Sequence, residues 1–163
     1  MHTTPSTFLP RVVGIAVPLG AAPLLDTVTI DAGAESHWRY FDLERGRVAD
    51  PPDTAGWDLA FERFHVIPSG EIANLGRARF DTVRAAPAAG YVRTTLGRDT
   101  VNAVTNAWYS YSYLSHLLVP KGDVYVVRTT DGHVAKLQIL GYYCPGPTPG
   151  CLTFRYGWLA GGR

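Results

Sequence analysis

This sequence has no marked excess of acidic or basic residues. Its 15 Lys and Arg are matched by 14 Asp and Glu, for a formal net charge of +1. A nucleic-acid groove or an anionic membrane face needs clustered cations, so neither partner class is indicated. Cysteine is scarce, with 2 residues, Cys144 and Cys151, and neither has enough further ligands nearby to build a metal centre. Long apolar runs are absent as well. Residues 11–22, RVVGIAVPLGAA, are mildly apolar, but Pro18 interrupts them and Arg11 is the one basic residue before them. No transmembrane segment and no evident export leader is expected from that stretch.

Catalytic signatures are missing too. Gly14 and Gly20 lack the spacing and the following Lys-Ser/Thr of a phosphate-cradling loop. There is no HExxH pair, and Ser69-Gly70 reads as a turn without the GxSxG elbow. Asp58 and Glu62 read as sheet-surface charge and not as an acid–base pair. The chain is not expected to be an enzyme.

What is present favours sheet. The 163 residues suit one domain, which at this size buries about 70% of its unfolded surface without a metal. The 9 Tyr, 4 Trp and 6 Phe are punctuated by 17 Gly and 12 Pro, a composition of strands and turns. Residues 1–23 read as an N-terminal arm or edge element, and 24–163 as a single β domain.

Short β patterns occupy 24–31 and 36–43 (SHWRYFDL), followed by a turn at 44–47 and a loop over 49–56. WDLAF puts Trp57, Leu59 and Phe61 on one face. The strand reads on through Ile67, with a bulge near Arg63 and Phe64 to absorb a phase shift. A turn at 74–76 precedes a strand over 77–83, and 85–90 is linker-like. Residues 99–107 are the best helix candidate, with Asp99 as cap. The last third is a meander: a strand from Val124, a type I′ turn at Asp131-Gly132, a return strand with Ala135, Leu137 and Ile139 inward and Lys136 and Gln138 outward, then a closing strand over 152–158. Between the last two lies CPGPTPGC. A disulfide closing that loop would imply an oxidising compartment, and the alternative is a pair of free thiols.

Several of these segments resemble the HmuY-like family of bacterial haem-binding surface proteins. Trp57 to Phe61 is similar to its W-D-[IL]-A-F core, and Trp38 to Leu43 followed by Gly46 looks like its aromatic strand. Asn74, which follows Ser69-Gly70 at stretched spacing, resembles its Asn after the tryptophan strand. The run WYSY from Trp108, with His116 and Pro120, resembles the aromatic segment before its final meander. The strongest match is VYVVRTTDGHVAKLQILGYY, residues 124–143, with Phe154-Arg155-Tyr156 similar to the closing strand.

The resemblance implies an all-β fold of two packed antiparallel sheets with long loops and at most one or two short helices. It also implies an extracytoplasmic protein of a lipid-anchored family, which captures haem without catalysis and passes it to an outer-membrane haem receptor. Iron would need axial ligands set among apolar and aromatic walls. Met1 is the only methionine, so a methionine pair is excluded. His116 is the first candidate ligand, beside Tyr109, Tyr111 and Tyr113, and His133 or His65 is the second. The alternative is an exported β domain that uses its exposed tyrosines to bind a protein or glycan partner, with no haem.

Overall fold

The computed structural model describes residues 26–49 and 56–160. The arm at 1–23 and most of the loop at 49–56 lie outside the described residues. Twelve strands are described: β1 Asp26–Asp31, β2 Arg39–Asp42, β3 Arg47–Ala49, β4 Leu59–Glu62, β5 His65–Pro68, β6 Glu71–Asn74, β7 Val92–Arg93, β8 Tyr109–Ser112, β9 Leu117–Pro120, β10 Val124–Arg128, β11 Val134–Cys144 and β12 Thr148–Trp158. Six form one antiparallel sheet in the order β1-β12-β11-β10-β6-β7, four form a second in the order β3-β2-β4-β5, and β8-β9 is a separate hairpin. The fold is the all-β sandwich of two sheets with long loops, and its described helical parts are two 3-10 turns, Phe80–Thr82 and Thr105–Ala107.

The main core lies between the two sheets. Phe41, Leu43, Leu59 and Phe61 of the small sheet meet Leu137, Ile139, Leu152, Phe154 and Tyr156 of the large one. Phe61 stacks on Phe154 with centroids 5.2 Å apart, and Phe41 meets the same ring edge-on at 5.4 Å. Such pairs add about 0.5–1.5 kcal/mol beyond the area they bury. Two close backbone approaches require glycine. A Cβ on Gly70 would stand 2.0 Å from the Arg128 carbonyl oxygen, and one on Gly150, where φ is +119, would stand 2.6 Å from Gly33 Cα.

The outer face of the large sheet is buried as well, which corrects the expected outward placement of Lys136. Phe80, Val83, Val124, Val126 and Leu159 form a second core, with Leu75, Ala78 and Tyr91 against it. Lys136 pairs with Val126 on one side and with Gly157 on the other, so its stem has room to run along the sheet. The residue is 2% exposed. Its Nζ donates to the carbonyls of Phe80 (2.9 Å) and Val83 (3.1 Å) and lies 4.6 Å from the Phe80 ring centroid. Burial, and then the Arg84 charge, lowers its ammonium below the ordinary lysine value, while Asp81 opposes them. The strand expected over 77–83 is therefore a loop with one 3-10 turn, and its carbonyls find a partner in lysine instead of a neighbouring strand.

Three other local readings are revised. The phase shift at Arg63 and Phe64 is a two-residue hairpin turn between β4 and β5, not a bulge: Glu62 pairs with His65, and Arg63 takes φ +52. The helix expected over 99–107 shrinks to Thr105–Ala107. Asn102, not Asp99, organises it by accepting the amides of Val104 and Thr105 through Oδ1. At Asp131-Gly132 the Thr129 amide donates to His133 O and the Gly132 amide to Thr129 O, with Gly132 at φ +92. That is a three-residue loop closed by a left-handed glycine, since a type I′ turn needs both central residues at positive φ.

Lys136→Ala strips two charged donors from buried carbonyls and is expected to lower unfolding free energy by about 2–3 kcal/mol in urea melts, whereas Lys136→Met, which keeps the packed stem, loses less. Gly70→Ala is expected to yield no cooperative unfolding transition at all, because the clash is with backbone.

Candidate functional site

The β8–β9 hairpin is a separate two-stranded sheet with a packed base and a bare tip. Its ladder runs from Tyr109↔Pro120 to Ser112↔Leu117. At the base Trp108, 1% exposed, donates its indole N–H to Phe64 O at 2.8 Å. The Phe64 ring meets Tyr109 at 5.7 Å and Tyr142 at 6.4 Å. The Leu118 amide donates to Tyr143 Oη at 2.8 Å. Trp108 disrupts the aromatic–serine alternation of WYSYSY because it turns into the core while the strand begins one residue later. That irregularity was the sequence signal for the anchor, and no pattern pointed to Phe64, Tyr142 or Tyr143 as its partners.

The tip carries the candidate ligands. Tyr109, at the base, and Tyr111 lie two apart on β8 and so share one side of it, and Tyr113 follows in the turn. Tyr113 is 85% exposed and Leu114 is 99% exposed. His116 closes the turn at φ +55, a left-handed conformation in which histidine is several-fold enriched among non-glycine residues. Its Nδ1 lies 2.8 Å from Tyr111 Oη, and Tyr111 meets Tyr113 edge-on at 5.1 Å. In the tautomer whose Nδ1–H donates to the phenol oxygen, the Nε2 lone pair is free for a metal and the ring is held in place. An imidazole of this kind, beside aromatic and aliphatic surface, is a candidate metal ligand.

His65 and His133 stand elsewhere. His65 opens β5, with its ring 4.3 Å from Phe64, and lines a cleft of ≈ 280 Å³ with Trp38, Glu62, Arg98 and Asp99. His133 ends the β10–β11 loop, with Nδ1 3.1 Å from Asp131 Oδ2 and its ring nearly perpendicular to that of Trp158, centroids 5.8 Å apart. The three imidazoles thus have three different sets of neighbours. Among the described residues, no group of three or more His, Cys, Asp and Glu is arranged to hold a metal ion. Cys144 and Cys151 are joined by a disulfide with Cα atoms 4.8 Å apart.

The cleft beside His133, of ≈ 230 Å³, is lined by Asp42, Glu44, Trp57, Asp58, Asp131 and Trp158 among others. Trp57, placed by the alternation on one face with Leu59 and Phe61, does not join them in the inter-sheet core. It packs on Tyr40 at 5.2 Å instead, because the chain bends at Asp58, whose amide donates to Phe41 O and whose carbonyl accepts the Ser69 amide. Asp58 is accordingly no ordinary surface charge. It accepts the Leu43 amide at 2.8 Å through Oδ2. Burial pushes its carboxyl up from 3.8 to about 6, opposed by the Leu43 bond and assisted by repulsion from Asp42, Asp131 and Glu44.

The family model described as HmuY protein matches residues 34–156. No curated protein matches the chain. The fold is similar to that of the apo HmuY analogue of Tannerella forsythia, at 19% identity and a TM-score of 0.73, covering 85% of this chain and 97% of that one. It is similar to apo PinO of Porphyromonas gingivitis, at 17% identity and TM-score 0.72, covering 83% and 97%. A Bacteroides vulgatus protein described as HmuY-like and haem-binding is 21% identical with TM-score 0.68, covering 81% and 90%. No helix among the described residues is long and apolar enough to cross a membrane.

Asp58 generates a pH prediction. Between 3.8 and about 6 the folded chain holds this proton more tightly than the unfolded chain. Its contribution to stability is therefore fully present below 3.8 and is lost as pH rises through about 6. Urea midpoints of wild type and Asp58→Asn across that window are expected to show this component in the wild type and to lack it in the variant, which keeps the acceptor for Leu43.

Proposed function

Because the chain belongs to the HmuY family, we propose that it captures haem, or a similar flat tetrapyrrole, without transforming it, and that His116 is an axial ligand. The observation that carries this reading is the hairpin tip, where an imidazole tethered at Nδ1 by Tyr111 stands beside the exposed Tyr113 and Leu114. Haem, when bound, supplies an iron that takes imidazole or phenolate on its axial positions and a wide apolar face. His116 offers Nε2, Tyr111 fixes the ring and its tautomer, and Tyr113 and Leu114 offer apolar surface to the macrocycle. Of the other two imidazoles, His65 is the better connected, because Phe64 touches both its ring and that of Tyr109. His133, engaged with Asp131, ranks behind it.

An extracytoplasmic location belongs to the same reading, and the disulfide supports it, since such bonds persist in oxidising compartments. So does hand-over to an outer-membrane haem receptor. A second reading, capture of a protein or glycan partner without haem, is favoured by the same exposed tip, because Leu114 at 99% exposure has no packing role.

Visible-region titration with ferric and ferrous haem separates the two. The expected result is a saturable one-to-one Soret shift with six-coordinate low-spin bands, lost in His116→Ala and weakened about tenfold in Tyr111→Phe. A featureless, non-saturating titration of the wild type would contradict haem capture and move the function to partner binding.

A further inference from the structure

The far end of the β11–β12 ladder is where the regular sheet gives out. Gly141 pairs with Thr153, but Tyr143 pairs with Pro149 and Cys144 with Thr148, so the register shifts between Gly141 and Tyr143. Pro145, Pro147 and Pro149 donate no amide bonds in this stretch, and Gly146 and Gly150 take left-handed φ values of 130 and 119. The backbone ladder is irregular there, and the Cys144–Cys151 disulfide spans the irregularity. Six residues separate the two cysteines, so closing the loop removes less unfolded-chain entropy than a long loop would. The main effect of the bond is on local geometry.

Two short relays lead from this end to the base of the β8–β9 hairpin. On one side Tyr143, next to Cys144, accepts the Leu118 amide through Oη at 2.8 Å, and Tyr142 faces Trp108 at 6.3 Å. On the other side, Gly150 O accepts the Ala32 amide at 2.8 Å and Ala32 O accepts the Arg63 amide at 2.7 Å. Arg63 begins the turn that presents Phe64 O to the Trp108 indole. One route ends on Leu118 of β9 and the other on Trp108 just before β8, the two strands that flank the turn bearing His116.

We propose that the Cys144–Cys151 disulfide is a redox-sensitive clasp that positions the β8–β9 hairpin, with Tyr143 as its main positioning residue. Reduction by a dithiol delivers two electrons and two protons, breaks the S–S bond into two thiols, and converts the dithiol to its own disulfide. The irregular end then loosens, the Tyr143–Leu118 bond is lost for part of the time, and the hairpin opens independently of the sandwich. In the haem reading, on which this consequence rests, an oxidised chain holds its ligand arm ready and a reduced chain binds more weakly.

Amide hydrogen exchange on the apoprotein tests the clasp without any ligand. On dithiol reduction, and in the Cys144→Ser/Cys151→Ser double variant, the Leu118 amide is expected to exchange about tenfold faster while the Val126 and Leu137 amides are unchanged. Tyr143→Phe should give the same acceleration with the disulfide intact, and reduction should add little to it. Unchanged Leu118 exchange would overturn the proposal. So would equal acceleration at Val126 and Leu137, which would make the bond a staple of the whole fold. Haem titration of the oxidised wild type and the double-serine variant is expected to show about tenfold weaker binding by the latter. If the oxidised wild type binds no haem, the haem reading fails and the exchange result still decides the clasp.

Discussion

The structure depends on the burial of both faces of β11. Ala135, Leu137 and Ile139 project into the inter-sheet core, and Lys136 points the other way into a second core under the 75–91 segment. A charged side chain at 2% exposure is tolerable because its ammonium donates to two backbone carbonyls and stands against an aromatic ring. Lys136 in turn fixes Phe80 and Val83, which would otherwise be an unpaired loop over an open sheet face. With both faces covered, the large sheet is a plate between two cores. The hairpin that carries His116 is anchored to one end of that plate, through Trp108, Tyr142 and Tyr143.

Much of the fold was legible where one face of a strand is buried and turn chemistry is strong. The β10–β11–β12 meander followed from alternation and from Asp131-Gly132, and the β2 and β4 segments followed from their aromatic spacing. The misreadings share a physical cause: tertiary partners replaced the local signals. Arg63 turns left-handed without being Gly or Asn, so the β4–β5 hairpin looked like one bulged strand. Asn102 holds a single 3-10 turn by accepting the Val104 and Thr105 amides through its side chain, where the sequence read as a longer helix capped by Asp99. Lys136 alternates like a surface residue, and nothing local reveals that residues 75–91 fold back over it.

The candidate site was legible in part. The tyrosine alternation and His116 were marked by the sequence, and the structure joins Tyr111 to His116 directly. The separation of His65, His116 and His133 onto three elements is a matter of strand order, which no local pattern encodes. The two-tryptophan cleft around Asp58 was invisible for the same reason. Trp57 and Trp158 are 101 positions apart in the chain, yet they line one cavity.

These features describe a packed two-sheet sandwich with an exposed, aromatic, imidazole-bearing arm. The most direct test of that account is backbone chemical-shift mapping of the oxidised protein with gallium protoporphyrin, a diamagnetic analogue of ferric haem. The account predicts shifts concentrated in residues 109–120 and around Phe64, with the β10–β11–β12 meander unmoved. Shifts concentrated instead around Trp57, Asp58 and Trp158, or none at saturation, would contradict it.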